Sequence, residues 1–151
     1  MATGAEMFGE WVRECRLSDK TYQAVEAWIK EMKTGEPIGE WVSQGQFARF
    51  VTAKSGIMDQ IGKGVSESMI SRVEAARYQT DPPLIVLRAL TAFDLLQIPT
   101  EFRKDSYTKE LIPIKWRYCR TIDEAYDIVQ GRLDPFTGKT IESSESSDSI
   151  V

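Results

Sequence analysis

The chain alternates stretches of helical periodicity with short polar or glycine-rich breaks. Phe8, Trp11, Val12 and Cys15 share one helical face, which predicts a helix over Phe8–Arg16 after a frayed start at residues 1–7. Ser18 or Asp19 is suited to cap a second helix running to about Lys33, with Tyr22, Val25, Trp28, Ile29 and Met32 on one side and Gly35 as its stop. After the Gly35-Glu36-Pro37 break, Ser43-Gln44-Gly45-Gln46 has the form of a capping box and opens a helix to roughly Lys54, with Phe47, Ala48, Phe50 and Val51 inward. The glycines between Gly56 and Gly64 predict a loop. Ser66 then caps a short helix in which Ile70 and Val73 point one way and Ser68, Arg72 and Ala75 the other. Asp81 followed by Pro82 and Pro83 signals an N-cap and a first turn. The helix it opens, Leu84 to Leu96 and ended by Pro99, is almost wholly apolar, Phe93 included, and is expected to be the central packing element.

Past Thr100 the period changes to two. Ile112, Ile114, Trp116 and Tyr118 alternate with Pro113, Lys115, Arg117 and Cys119, which predicts a strand, and Pro113 confines it to an edge or an arm. The favoured reading is a half-buried strand with a polar side; a dimerising edge and a DNA-touching arm are the alternatives. Thr121-Ile122-Asp123-Glu124 has the form of a second capping box and opens a short helix that stops at Gly131, and Asp134-Pro135-Phe136-Thr137-Gly138 is a turn. The serine-and-acid stretch from Glu142 is expected to be a disordered, solubilising tail, although its end, Ser149-Ile150-Val151, has the form of a C-terminal peptide ligand.

Length and composition narrow the chemistry. The 151 residues suit one domain with appendages, and 42% hydrophobic with 28% charged residues is an ordinary globular balance. No apolar run approaches a bilayer span and no signal pattern opens the chain, so a cytoplasmic protein without a membrane partner is expected. Two cysteines, Cys15 and Cys119, are too few for a disulfide framework, and the absence of histidine removes histidine acid–base pairs and His-containing zinc sites. Gly56 through Gly62-Lys63-Gly64 misses the spacing of a phosphate-binding loop, and Gly138-Lys139-Thr140 has the ending of one but Leu133 in place of its first glycine. The expectation is therefore a non-enzyme with no catalytic residues, no metal and no cofactor. The net charge of −4 hides a division: residues 1–42 carry 5 basic and 8 acidic side chains, residues 43–120 carry 12 and 8, and residues 121–151 carry 2 and 7. A basic middle between acidic ends fits a nucleic-acid-binding core.

Residues 43–90 resemble the Xre or phage-repressor class of helix-turn-helix domains. Ser43-Gln44-Gly45-Gln46-Phe47-Ala48 looks like the opening of that family's second helix, Val65-Ser66-Glu67-Ser68-Met69-Ile70-Ser71-Arg72-Val73-Glu74 like its turn and recognition helix, and Asp81-Pro82-Pro83-Leu84 with Leu87 and Ala89-Leu90 like its fourth helix. The resemblance implies a mainly α fold: a repressor-like helix-turn-helix core at 43–104, an N-terminal helical region at 1–42 packing on it, a small α+β C-terminal extension at 105–141, and the tail at 142–151. It also implies that Glu67, Ser68, Met69 and Arg72 face bases in the major groove. Gln44 matches a phosphate-contacting position, and Arg77 and Tyr78 are further candidates for backbone contacts; Lys63 is another if its loop lies against the duplex, although a mobile surface loop is the favoured reading there. For Glu67, simple complementing of the helix dipole is an equal reading. Glu74 is expected to be a structural acid paired with Arg13 or Arg16.

Two departures from the family matter. About a dozen extra residues separate Ala48 from Val65, which implies either a prolonged second helix with a glycine-rich return or a different register for 43–48. Where the family commonly has glycine, this chain has Ala76, which predicts a helix running on to Arg77 or Tyr78. The function implied is a sequence-specific transcriptional regulator, by default a repressor, binding double-stranded DNA as a homodimer, with the C-terminal extension available to a protein partner. The alternative is an interaction module, antitoxin-like, on the same scaffold with weak or no DNA binding.

Overall fold

The computed structural model describes residues 3–78, 81–92 and 95–141. Among them, seven helices surround one apolar core, and a single two-stranded antiparallel ribbon projects from it, so the fold is mainly α with a small β part. The tail from Glu142, Gln79, Thr80 and Phe93 lie outside the described residues, and so do the expectations placed on them.

Helix α1 spans Gly4–Leu17, earlier than the expected Phe8, because the Thr3 side chain caps it by accepting from the Glu6 N–H at 3.1 Å. Ser18 caps α2, Asp19–Met32, through the Thr21 N–H. Helix α3, Gln44–Ser55, begins with the reciprocal capping box of Ser43 and Gln46. The expected loop from Gly56 to Gly64 contains a further helix, α4, Ile57–Ile61, bounded by Gly56 and Gly62, both left-handed. Only Ile57 of α4 is buried, and it is this one anchor that folds the segment back on the core.

Helix α5, Glu67–Glu74, stops where the sequence reading had it continue. Ala76 takes φ +55°, the left-handed conformation that alanine disfavours. The Arg77 N–H bonds the Arg72 carbonyl at 2.8 Å and the Ala76 N–H bonds that of Val73 at 3.1 Å, the paired bonds of a Schellman ending. Those bonds and the docking of Tyr78 hold alanine where glycine would be at ease. Helix α6 is also shorter than expected, Leu84–Thr91, with Pro83 as its N-cap; Asp81 instead accepts from the Gln130 amide at 3.0 Å.

Leu95 and Leu96 are buried but precede a strand that the sequence reading missed. Strand β1, Gln97–Lys104, pairs antiparallel with β2, Leu111–Tyr118, and Pro99, expected to end a helix, lies inside β1. The ribbon thus crosses the expected boundary at residue 104. Helix α7, Ile122–Val129, is capped by Thr121, while the Glu124 carboxylate pairs with Arg117 instead of closing a capping box. The turn at Asp134–Gly138 forms as expected: the Asp134 side chain accepts from the Phe136 N–H at 2.8 Å.

Helix α1 organises the molecule. A methyl group at Gly9 would lie 2.4 Å from the Val73 carbonyl, so α5 crosses α1 in backbone contact there. Trp11 donates from its indole to the Gln97 carbonyl at 3.0 Å, and Cys15 reaches the Leu95 carbonyl, so the ribbon base docks elsewhere on α1. At about 100° per residue, the side of α1 that carries Gly9 and Arg16 points about 130° away from the side that carries Trp11 and Cys15. No helix among the described residues is long and apolar enough to cross a membrane.

Candidate nucleic-acid interface

The candidate surface is the outer face of α5. Ile70 and Val73 are wholly buried, and Ser66 caps the helix by accepting from the Met69 N–H at 3.2 Å. Opposite the buried face, Glu67, Ser68, Ser71 and Arg72 are exposed. Ser68 and Arg72, one turn apart, form one row, and Glu67 stands beside them over the start of α3. Gly45 makes room there: a methyl group at that position would meet the Glu67 carboxylate at 3.2 Å.

Two devices fix the angle of α5. At its C-terminal end, Arg16 binds Glu74 through two hydrogen bonds, Nε to Oε2 at 2.7 Å and Nη2 to Oε1 at 2.9 Å, and its remaining nitrogen donates to the Val42 carbonyl at 2.7 Å. Arg16, of the two arginines expected, is thus the partner of Glu74. Both side chains are buried, where an unpaired charge is costly, and the Gln44 amide adds a third bond to Glu74 at 3.1 Å. At its N-terminal end, the Thr52 hydroxyl accepts from the Val65 N–H at 2.9 Å and donates to the Ala48 carbonyl at 2.8 Å. That bridge spans the insertion containing α4, so the extra residues leave α3 and α5 in direct contact.

The other expected contacts fare differently. Gln44 spends its amide on Glu74, so it holds α5 rather than reaching outward to a phosphate. Tyr78 is half-buried and donates to the Ala5 carbonyl at 3.5 Å; burial, then the Asp81 charge, pushes its hydroxyl up to about 12. It fastens the end of α5 to α1 and is not directed at a DNA backbone. Met69 packs partly against the core, which leaves little of it for a thymine methyl. Lys63 and Arg77 are exposed at the two ends of α5 without an ion pair among the described residues.

One feature of the site was not read from the sequence. A groove of about 650 Å³ runs between the start of α3, the start of α5 and the loop at Glu36-Pro37. Arg49 on α3 pairs there with Glu36, and the Gln46 amide holds the loop through the Pro37 carbonyl at 2.9 Å. The capping box indicated Gln46, but its second partner lies nine residues back and carries no local signal.

The cysteines are not part of a reactive site. Burial pushes the Cys15 thiol up to about 11 and the Cys119 thiol up to about 12, so both are protonated at neutral pH. Among the described residues no cluster of acids and cysteines is placed to hold a metal ion. No family model matches this chain, and no curated protein or solved structure matches it either.

Proposed function

We propose that the protein is a sequence-specific DNA-binding regulator of the repressor-like helix-turn-helix type, with α3 and α5 as the two helices and α5 in the major groove. The observation that carries this reading is the rigid presentation of α5. Its small polar face, with an Arg72 that makes no ion pair among the described residues, points outward, while its other face and both ends are fixed to α1 and α3. A major groove admits a helix of this size, and a guanidinium can bond O6 and N7 of guanine together. Arg72 is the principal reader, Ser68 and Glu67 assist, and Lys63 and Arg77 meet phosphates at either end. Repression by occupying a site is the simplest consequence, and two protonated, unpaired thiols suit the reducing cytoplasm.

Selection from random duplexes, followed by binding at two salt concentrations, tests the reading. One enriched motif and a salt-dependent affinity are expected. Arg72→Ala should lose about 1–3 kcal/mol of discrimination at one base pair while keeping most non-specific binding. Enrichment of no motif overturns it. The second reading, a protein-interaction module, is favoured by one observation: Ile112, Ile114 and Trp116 are 37%, 42% and 51% exposed, so the ribbon is not the half-buried strand expected.

A further inference from the structure

The ribbon carries three features that α5 does not use. Its second strand presents the apolar row Ile112, Ile114 and Trp116 to solvent. Its tip presents Tyr107, 92% exposed, on an ordered turn: the Asp105 carboxylate accepts from the Tyr107 N–H at 2.8 Å, and the Asp105 N–H bonds the Glu110 carbonyl at 2.8 Å. Arg103, Lys104 and Lys109 flank that tyrosine and make no ion pair among the described residues.

The base of the ribbon is complementary to its tip. A cleft of about 360 Å³, bordered by Trp11, Glu14, Pro99, Pro113, Trp116 and Phe136, opens where β1, β2, α1 and the Asp134 turn meet. That volume is ample for an aromatic ring. Glu6, Glu10 and Glu14 line up along α1 at four-residue intervals and lead into the cleft, a like-charge row that costs the isolated helix stability. Lys20 also borders the cleft, but it is committed to Tyr118, donating to the hydroxyl at 2.7 Å and lying over the ring. Burial and the Glu10 charge raise the Glu14 carboxyl, as expected for an acid whose field is not yet matched by a cation.

We propose that the protein pairs with a second copy through these ribbons, laid side by side in opposite directions about a two-fold axis. From Pro99 to Lys104 the ribbon is about 17 Å long, so each tip reaches the other copy's base. Each Tyr107 seats in the other copy's cleft, Lys104 and Lys109 face the other copy's Glu10 and Glu14, and the two apolar rows cover one another. Pairing is by side chains and not by strand addition, since Pro113 has no N–H to offer and register shifts interrupt the ribbon near its middle. The charges favour this occupant: Arg103, Lys104 and Lys109 outnumber Asp105 and Glu110 at the tip, three acids line the base of the same chain, and an antiparallel pair brings the two together.

Sedimentation equilibrium on the full chain tests the pairing with three variants at exposed positions: Tyr107→Ser, Glu10→Lys with Glu14→Lys, and Lys104→Glu with Lys109→Glu. The wild type should be dimeric and each variant should associate about tenfold or more weakly. Mixing the two charge variants should restore a dimer containing one of each, because opposite charges then meet at both contacts. Unchanged thermal unfolding shows that each variant is folded. A monomeric wild type, a dimer indifferent to Tyr107→Ser, or the absence of a mixed dimer each overturns the proposal. None of these residues belongs to α5, so the outcome is independent of DNA binding.

Discussion

Helix α5 and the β1–β2 ribbon both present side chains to solvent, and they are held by opposite means. The helix is clamped from outside itself: Arg16, Val42 and Gln44 at one end, Thr52 at the other, and a backbone crossing at Gly9. The ribbon is held by its own ladder and turn, and it touches the core only at its base, through Ile98, Trp11 and Cys119. The difference teaches where mutations will be felt. A surface supported by long-range buried contacts loses its geometry when a distant residue changes, whereas a self-supporting ribbon can change its exposed residues at little cost to folding.

The largest expected effect tests the clamp. Glu74→Ala leaves the Arg16 guanidinium buried and half-bonded, and urea unfolding should show a loss of about 3–5 kcal/mol. A loss below 1 kcal/mol would mean that α5 is not held as described. A smaller effect of opposite sign is expected at the end of the same helix. Ala76→Gly relieves the left-handed alanine and should raise stability by about 1 kcal/mol, read as a higher urea midpoint at constant slope. The smallest is in the ribbon, where Ile114→Thr should alter the stability of the isolated protomer by about 0.5 kcal/mol or less. A large loss there would show that the ribbon is part of the core after all.

The same contrast explains what the sequence could reveal. Caps are local, so Ser18, Ser43, Ser66 and Thr121 were each identifiable, and the starts of the helices they cap agree within a residue or two. The buried acid at Glu74 was legible only because the surrounding decad resembles a known pattern. Contacts made at a distance had no such signature. Strand β1 lies beyond the helix expected to end at Leu96 and carried no signal of its own, because Gln97-Ile98-Pro99-Thr100 lacks alternation and becomes a strand only through β2. Ala76 was misread because residue preference is outweighed when the helix end is tied on both sides. Gln44 and Tyr78 looked like outward-facing polar groups, yet their partners, Glu74 and Ala5, lie 30 and 73 residues away in the chain.

The placement of Gly9 and Trp11, two residues apart on α1, has a consequence for how such a molecule would meet a chromosome. α5 and the ribbon take their support from different faces of α1, so none of the residues proposed to join two copies lies on α5. On the DNA-binding and pairing proposals above, such a pair would offer two α5 faces, neither of them spent on holding the copies together.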